Sequence, residues 1–177
     1  MTKSKRLLAL DQATEKTGYS VWEEDKLIKY GLFRLNDITE SKSSSALEER
    51  MMNVKWFMER MIEEFDIDYV ILEDSQMQLN AKVFKTLSAL QGVLRVSLYE
   101  NGIPFNILKP SEWRGCLGIK GRKRSEQKLN ALKYVKDKHG IDAEEDVAEA
   151  ICIGQAGSLL LSKNKLFMKG DYYDYVE

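Results

Sequence analysis

Two short apolar runs decide most of what this chain can become. Leu7-Leu8-Ala9-Leu10 and Tyr69-Val70-Ile71-Leu72 offer no alternating polar face to water. A strand without alternation is buried on both sides, as in a parallel sheet covered by helices. Each run ends in a carboxylate, Asp11 in the first and Glu73 in the second. An acid at the end of a buried strand must be paired, protonated or bound to a cation.

The rest of the chain supplies the covering layers. Residues 18–22 and 27–35 read as two more strands, joined through the polar turn Glu23-Glu24-Asp25-Lys26 into a hairpin. Residues 41–45 form a polar linker. From 46 to 65, Leu47, Met51, Val54, Met58, Met61, Ile62 and Phe65 recur at helical spacing. The Met-rich face of that helix suits a core or a dimer interface. A second helix is expected over 80–101, with Val83, Leu87, Leu90, Leu94 and Leu98 along one stripe and Asn101-Gly102 at its end. Residues 103–108 read as a strand despite Pro104, closed by Pro110. A glycine-rich basic loop is expected from Gly115 to Arg124. Ser125 is expected to cap a helix that Gly140 stops, leaving His139 as a helix-end residue. A last helix is expected to open at Asp142, in a capping arrangement with Glu145, and to run to about Leu161.

A hairpin followed by helix-connected strands implies an α/β fold, a mixed five-stranded sheet flanked by helices. One domain is expected over residues 1–162, with a Tyr-rich tail over 163–177. If the first and fourth strands are parallel neighbours, Asp11 and Glu73 meet at their carboxyl ends, where open α/β sheets place their sites.

Composition narrows the functional classes. A chain of 177 residues suits one substantial core. No apolar run approaches the roughly 20 residues of a membrane span, so no membrane partner is expected. The basic N-terminus is followed by an apolar stretch too short for a signal peptide. Cys116 and Cys152 show no metal-ligand spacing and read as reduced thiols, which suits a cytoplasmic location. His139 is the one histidine, which argues against a zinc site built on His and Cys. The net charge of −1 says little, but its distribution says more. Between residues 109 and 128, Lys109, Arg114, Lys120, Arg122, Lys123, Arg124 and Lys128 face only Glu112 and Glu126. A local basic patch of this kind binds a polyanion through its phosphates. A charge run is also commonly plain solvated surface. Trp22, Trp56 and Trp113 read as packing residues.

Two further acids complete the pattern. Asp146 and Glu149 stand three residues apart and share one helix face. Acids in a first helical turn also complement the helix dipole, a purely structural role that suffices for Glu144 and Glu145. Asp146 and Glu149 differ because Val147, Ala148, Ala150, Ile151, Cys152 and Ile153 surround them, so their helix is mostly buried. If Asp11, Glu73, Asp146 and Glu149 converge, they make a hard-oxygen site for magnesium or manganese. Two such ions about 3.5–4 Å apart suit phosphodiester cleavage. Asp74 would point to the opposite sheet face if its strand continued, leaving it at most an outer or alternate ligand.

These residues resemble the RuvC family of Holliday junction resolvases, within the ribonuclease H-like superfamily. The motifs are Leu8-Ala9-Leu10-Asp11 with Thr17-Gly18-Tyr19, Val70-Ile71-Leu72-Glu73 with Gly92 downstream, and Asp146-Val147-Ala148-Glu149-Ala150. Together they span about residues 5–162. The resemblance implies a ribonuclease H-like sheet and a homodimer acting on branched DNA. It implies symmetrical cutting of four-way junctions with Mg2+ or Mn2+, two ions per site. Asp11, Glu73, Asp146 and Glu149 fall on the family's catalytic acids, with Glu149 where Asp is usual. The expected division has Asp11 bridging both ions, Glu73 and Glu149 completing one sphere each, and Asp146 assisting the water. Arg114 and Arg124 fall near basic DNA-contacting positions, with Lys120, Arg122 and Lys123 beside them. Gln76 stands where bacterial members carry an aromatic, which fits a divergent, phage-like member working in the host cytoplasm and selecting DNA by shape.

Three other readings share parts of this pattern. A ribonuclease H-like nuclease on hybrids, flaps or forks would use the same acids. A non-catalytic junction-binding protein would keep the fold. A sugar-kinase or actin-like nucleotide binder resembles the chain only around Asp11-Gln12-Ala13-Thr14 and Thr17-Gly18, and it needs a second similar domain.

Overall fold

The computed structural model describes residues 4–35, 46–75 and 80–163. Its elements run β1 (Arg6–Asp11), β2 (Lys16–Glu23), β3 (Lys26–Arg34), α1 (Leu47–Phe65), β4 (Tyr69–Glu73), α2 (Ala81–Glu100), β5 (Phe105–Leu108), α3 (Pro110–Leu117), α4 (Arg124–His139) and α5 (Glu145–Ser162). The strands form one mixed five-stranded sheet in the order β3-β2-β1-β4-β5. The β1–β2–β3 meander is antiparallel, whereas β4 runs parallel to both β1 and β5.

Strand alternation divides the two apolar runs between two cores. Leu8, Leu10, Val70 and Leu72 pack with Val54, Phe57 and Met58 of α1 and Leu90, Leu94 and Leu98 of α2. Leu7, Ala9, Tyr69 and Ile71 pack on the other face with Trp113, Ala131, Val135, Ala148, Ile151 and Cys152 of α3, α4 and α5. Each fully buried Leu, Ile or Val contributes roughly 1.5–3 kcal/mol, so neither face is dispensable. The same period of two carries Asp11 and Glu73 onto the side of Ala9 and Ile71, facing α5.

The final helix lies close against the sheet. A Cβ on Gly154 would collide with the Trp22 indole and the Ser20 hydroxyl. Ser20 Oγ donates to the Ala150 carbonyl at 2.7 Å and accepts from Trp22 Nε1 at 2.9 Å. Ser20 thus closes a buried gap that an apolar residue would leave with unpaired polar atoms.

Several expectations about element ends need correction. β5 starts at Phe105, because Pro104 has no N–H for the ladder; its carbonyl instead accepts from Val70 N–H. Pro110 opens a helix, α3, that takes in Gly115-Cys116-Leu117. Proline is well suited to a first helical position, and Glu112 caps the turn by accepting the Lys109 N–H at 2.7 Å. The basic loop is therefore confined to residues 118–123. Ser125 is not a cap: α4 begins at Arg124, with Lys123 as its N-cap residue. The last helix starts at Glu145, since Asp142 is drawn to Lys136 on α4 at 2.8 Å. Met58 and Met61 are core, while Met52 is exposed. The linker at 41–45, Gln76 and the tail beyond Lys163 lie outside the described residues.

Candidate active site

Parallel pairing of β1 with β4 places Leu10 beside Leu72, so Asp11 and Glu73 leave the sheet together. Helix α5 crosses the same edge, and its first turns bring Asp146 and Glu149. All four acids line one cavity of about 580 Å³. Gln12, Lys16, Arg114, Arg124, Gln127 and Lys128 line it as well.

The acids repel one another in a poorly solvated place. Burial, then the charges of Glu73, Glu149 and Asp146, push Asp11 well above the usual carboxylate range. A side-chain hydrogen bond to Glu73 pushes Asp11 up further and Glu73 down. Burial raises Glu73, opposed by a hydrogen bond from Trp113 and the positive charge of Arg114. Burial and the Glu73 charge raise Glu149, opposed by Lys128, Arg114 and Arg124. Only 7% of Glu149 is exposed, which leaves solvent little part in neutralising it.

Glu73 is held by its neighbours at both backbone and side chain. Gln12 accepts the Glu73 N–H through Oε1 at 3.1 Å and donates from Nε2 to the Glu73 carbonyl at 2.5 Å. Gln91 of α2 donates to the same carbonyl at 3.0 Å. Trp113 Nε1 donates to Glu73 Oε1 at 2.9 Å. Both glutamines are buried, and buried amides are retained where their hydrogen bonds are satisfied.

The acidic helix is anchored from two sides. Arg34 of β3 grips both carboxylate oxygens of Glu144, at 2.6 and 2.7 Å. Lys128 of α4 pairs with Glu145. The basic loop is tied back to α4: Glu126 accepts the Arg122 N–H at 2.8 Å, Gln127 donates to the Gly121 carbonyl at 3.0 Å, and Asn130 to that of Lys120 at 2.6 Å.

The expected site residues therefore divide. Asp11, Glu73, Asp146, Glu149, Arg114 and Arg124 come together at the cavity. Lys120, Arg122 and Lys123 are exposed and lie outside its lining. Asp74 lines it too, in keeping with the outer or alternate ligand position left open for it. β4 ends at Glu73, so strict strand alternation does not fix Asp74, whose N–H donates to the Leu108 carbonyl of β5 at 2.9 Å. Sequence reasoning misses Gln12, Gln91 and Lys16, includes Lys128 only as part of the basic patch, and gives Trp113 a packing role only. Gln12 carries a signal, a polar residue directly after the first acid. Gln91 sits inside the Leu90-Gln91-Gly92 motif, where a buried amide amid leucines needs a partner.

Among the described residues, no three His, Cys, Asp or Glu side chains are already drawn into a finished metal cage. The donor set nonetheless fits a hard divalent cation. Four carboxylates share one cavity, and three of them are pushed toward protonation by burial and mutual charge, a strain that a cation relieves.

The family model described as crossover junction endodeoxyribonuclease RuvC matches residues 7–158. A crossover junction endodeoxyribonuclease RuvC from Finegoldia magna is 26% identical over 152 residues, covering 84% of this chain and 89% of the relative. The structure of Thermus thermophilus RuvC is similar at TM-score 0.72 and 14% identity, covering 90% of this chain and 97% of that one. The T. thermophilus RuvC complex with Holliday junction substrate gives TM-score 0.70 at 13% identity, covering 91% and 97%. At these identities the two structures bear on the fold alone.

Proposed function

This chain belongs to the RuvC family of crossover junction endodeoxyribonucleases, and on that premise we propose how its own residues resolve branched DNA. It is a junction-resolving endonuclease, a hydrolase of phosphodiester bonds. The convergence of Asp11, Glu73, Asp146 and Glu149 on one cavity, rimmed by Arg114, Arg124 and Lys128, carries the reading.

The four carboxylates would hold magnesium or manganese, two ions per site. Such ions, when bound, supply an activated water and neutralise the leaving oxygen. Asp11 shares the cavity with the other three acids, and the charges of all three push its carboxyl up. It would therefore be the acid that holds both ions. Glu73 and Glu149 would complete one coordination sphere each, and Asp146, which lines the same cavity, would help to hold the water. Glu149 has one methylene more than the family's usual Asp.

The cations do the rest. Arg114 and Arg124 stand at the cavity and take backbone phosphates, fixing the scissile strand without reading its sequence. Lys120, Arg122 and Lys123, exposed on the preceding loop, extend the positive track away from the acids. Two copies of the chain would present two sites to opposite strands of a four-way junction, so a homodimer is part of the proposal.

The test is cleavage of a synthetic four-way junction by the purified protein in Mg2+ or Mn2+. Paired nicks by the parent and none by Asp11→Asn are expected. A parent that binds junctions tightly but cuts none in either metal would overturn catalysis and leave a binding protein.

A further inference from the structure

Glu73 is the most tightly tethered acid of the site, and its carboxylate accepts from the Trp113 indole as well as hydrogen-bonding to Asp11. Trp113 is fully buried, and its Nε1–H reaches Glu73 Oε1 at 2.9 Å. The opposite partner of the indole is a cation: the guanidinium carbon of Arg114 lies 4.8 Å from the Trp113 ring centroid. Arg114 Nε is buried without a hydrogen-bond partner, and among the described residues no ion pair joins Arg114 to Glu73. An acid and a cation thus share one cavity wall without closing on each other.

We propose that Trp113 is a positioning residue that sets the Glu73 carboxylate for its cation and the Arg114 guanidinium for its phosphate. The proposal rests on the reading of the four acids as a divalent-cation site. The terminal torsion of a glutamate is broad and poorly restrained, so a carboxylate needs an outside contact to fix its plane. An indole donates one N–H and accepts nothing, so it claims Oε1 without adding charge. A cationic donor in its place would compete with the metal for the same oxygen. The ring face attracts Arg114 through its quadrupole. That stack holds the guanidinium against the wall, where Glu73 would otherwise neutralise it. Both contacts come from α3, the short helix opened by Pro110 and capped by Glu112, so its placement sets acid and cation together.

A buried indole N–H also needs an acceptor for purely structural reasons. The two roles separate in Trp113→Phe, which keeps a ring in the core and deletes the donor. Outer partners of metal ligands typically change metal affinity or activity by about 10–100-fold. Calorimetric titration with Mg2+ should show Trp113→Phe binding about tenfold more weakly than the parent. Melting in chelator should remain cooperative, and cleavage should recover toward the parent rate at high Mg2+. A second measurement uses the parent itself. Mg2+ should change its tryptophan fluorescence, Glu73→Gln should abolish the change, and Trp56→Phe, which alters an exposed ring, should leave it intact. Parent-like Mg2+ affinity in Trp113→Phe overturns the proposal. So does a fluorescence signal indifferent to Mg2+ in a parent that binds the ion calorimetrically. A parent that takes up no Mg2+ by either method overturns the cation reading itself, and the proposal with it.

Discussion

Gly18 lies directly against the backbone carbonyl of Asp146, and no side chain fits between them. Gly18 pairs with Asp11 across β1 and β2, so this contact joins the first acid's strand to the third acid's helix. Gly18→Ala must push the first turn of α5 off the sheet, at a cost of about 1–3 kcal/mol for overpacking. We expect a cooperative melt at lower temperature and junction cleavage at least about tenfold slower. Gly115→Ala is the control, because a Cβ there meets nothing within 4 Å. It should melt no lower than the parent, since alanine is favoured over glycine inside a helix by about 0.5–1 kcal/mol. Equal cleavage rates in the two variants would refute the role of Gly18 in seating α5.

Asp11→Asn should stabilise the metal-free protein. Folding raises the Asp11 carboxyl above its ordinary range, chiefly by burial and then by Glu73. The folded chain therefore holds that proton more tightly than the unfolded chain. Its contribution to stability is complete below the ordinary aspartate range and is lost as pH rises through the raised value. In chelator, the melting gain of Asp11→Asn over the parent should be larger at about pH 7.5 than at about pH 4.5. Adding Mg2+ should raise the parent melting temperature and leave Asp11→Asn little changed. A gain independent of pH would show that the buried Asp11 charge is not its source.

The two cysteines should differ sharply in reactivity. Burial pushes the Cys152 thiol up to about 12, while Cys116 is half-buried on α3. Thiolate, not thiol, is the reacting form. Alkylation near pH 8, followed by peptide mass spectrometry, should label Cys116 first and Cys152 only on unfolding. Early labelling of Cys152 would show that the α4–α5 core opens in the native state.

Arg114→Ala and Arg124→Ala should weaken junction binding across unrelated sequences. Each should lower the slope of log affinity against log salt by about 1, as the loss of one phosphate contact requires. Lys133→Ala, on the exposed face of α4 and paired with Asp137, should change neither quantity. A sequence-dependent loss in Arg114→Ala would point to base contacts instead.

Much of this arrangement is legible in the chain itself. Leu7 to Leu10 and Tyr69 to Leu72 announce two doubly buried strands, and their parallel pairing brings Asp11 and Glu73 to one edge. The spacing of Asp146 and Glu149 on an apolar helix is equally plain. The side of the sheet is readable too, since counting by twos from Leu7 and Tyr69 reaches both acids. Helix α3 is hidden because Pro110 can close a strand or open a helix, and the choice depends on Glu112 capping the turn. The start of α5 is displaced because Asp142 answers to Lys136 on another helix, a pairing that local spacing does not contain. The tether from Trp113 to Glu73 crosses forty positions and follows from the tertiary packing of α3 alone.

The odd and even residues of β1 and β4 serve different cores, and only the α5 side ends in the acids. Exchanging one apolar residue for another on the α1–α2 side alters packing and leaves the chemistry in place. Inserting or deleting a single residue within either strand is another matter, because it turns every later side chain to the opposite face. The acid would then point into the α1–α2 core, and a leucine would take its place in the cavity. Along these strands the chain is free to vary in spelling but not in length.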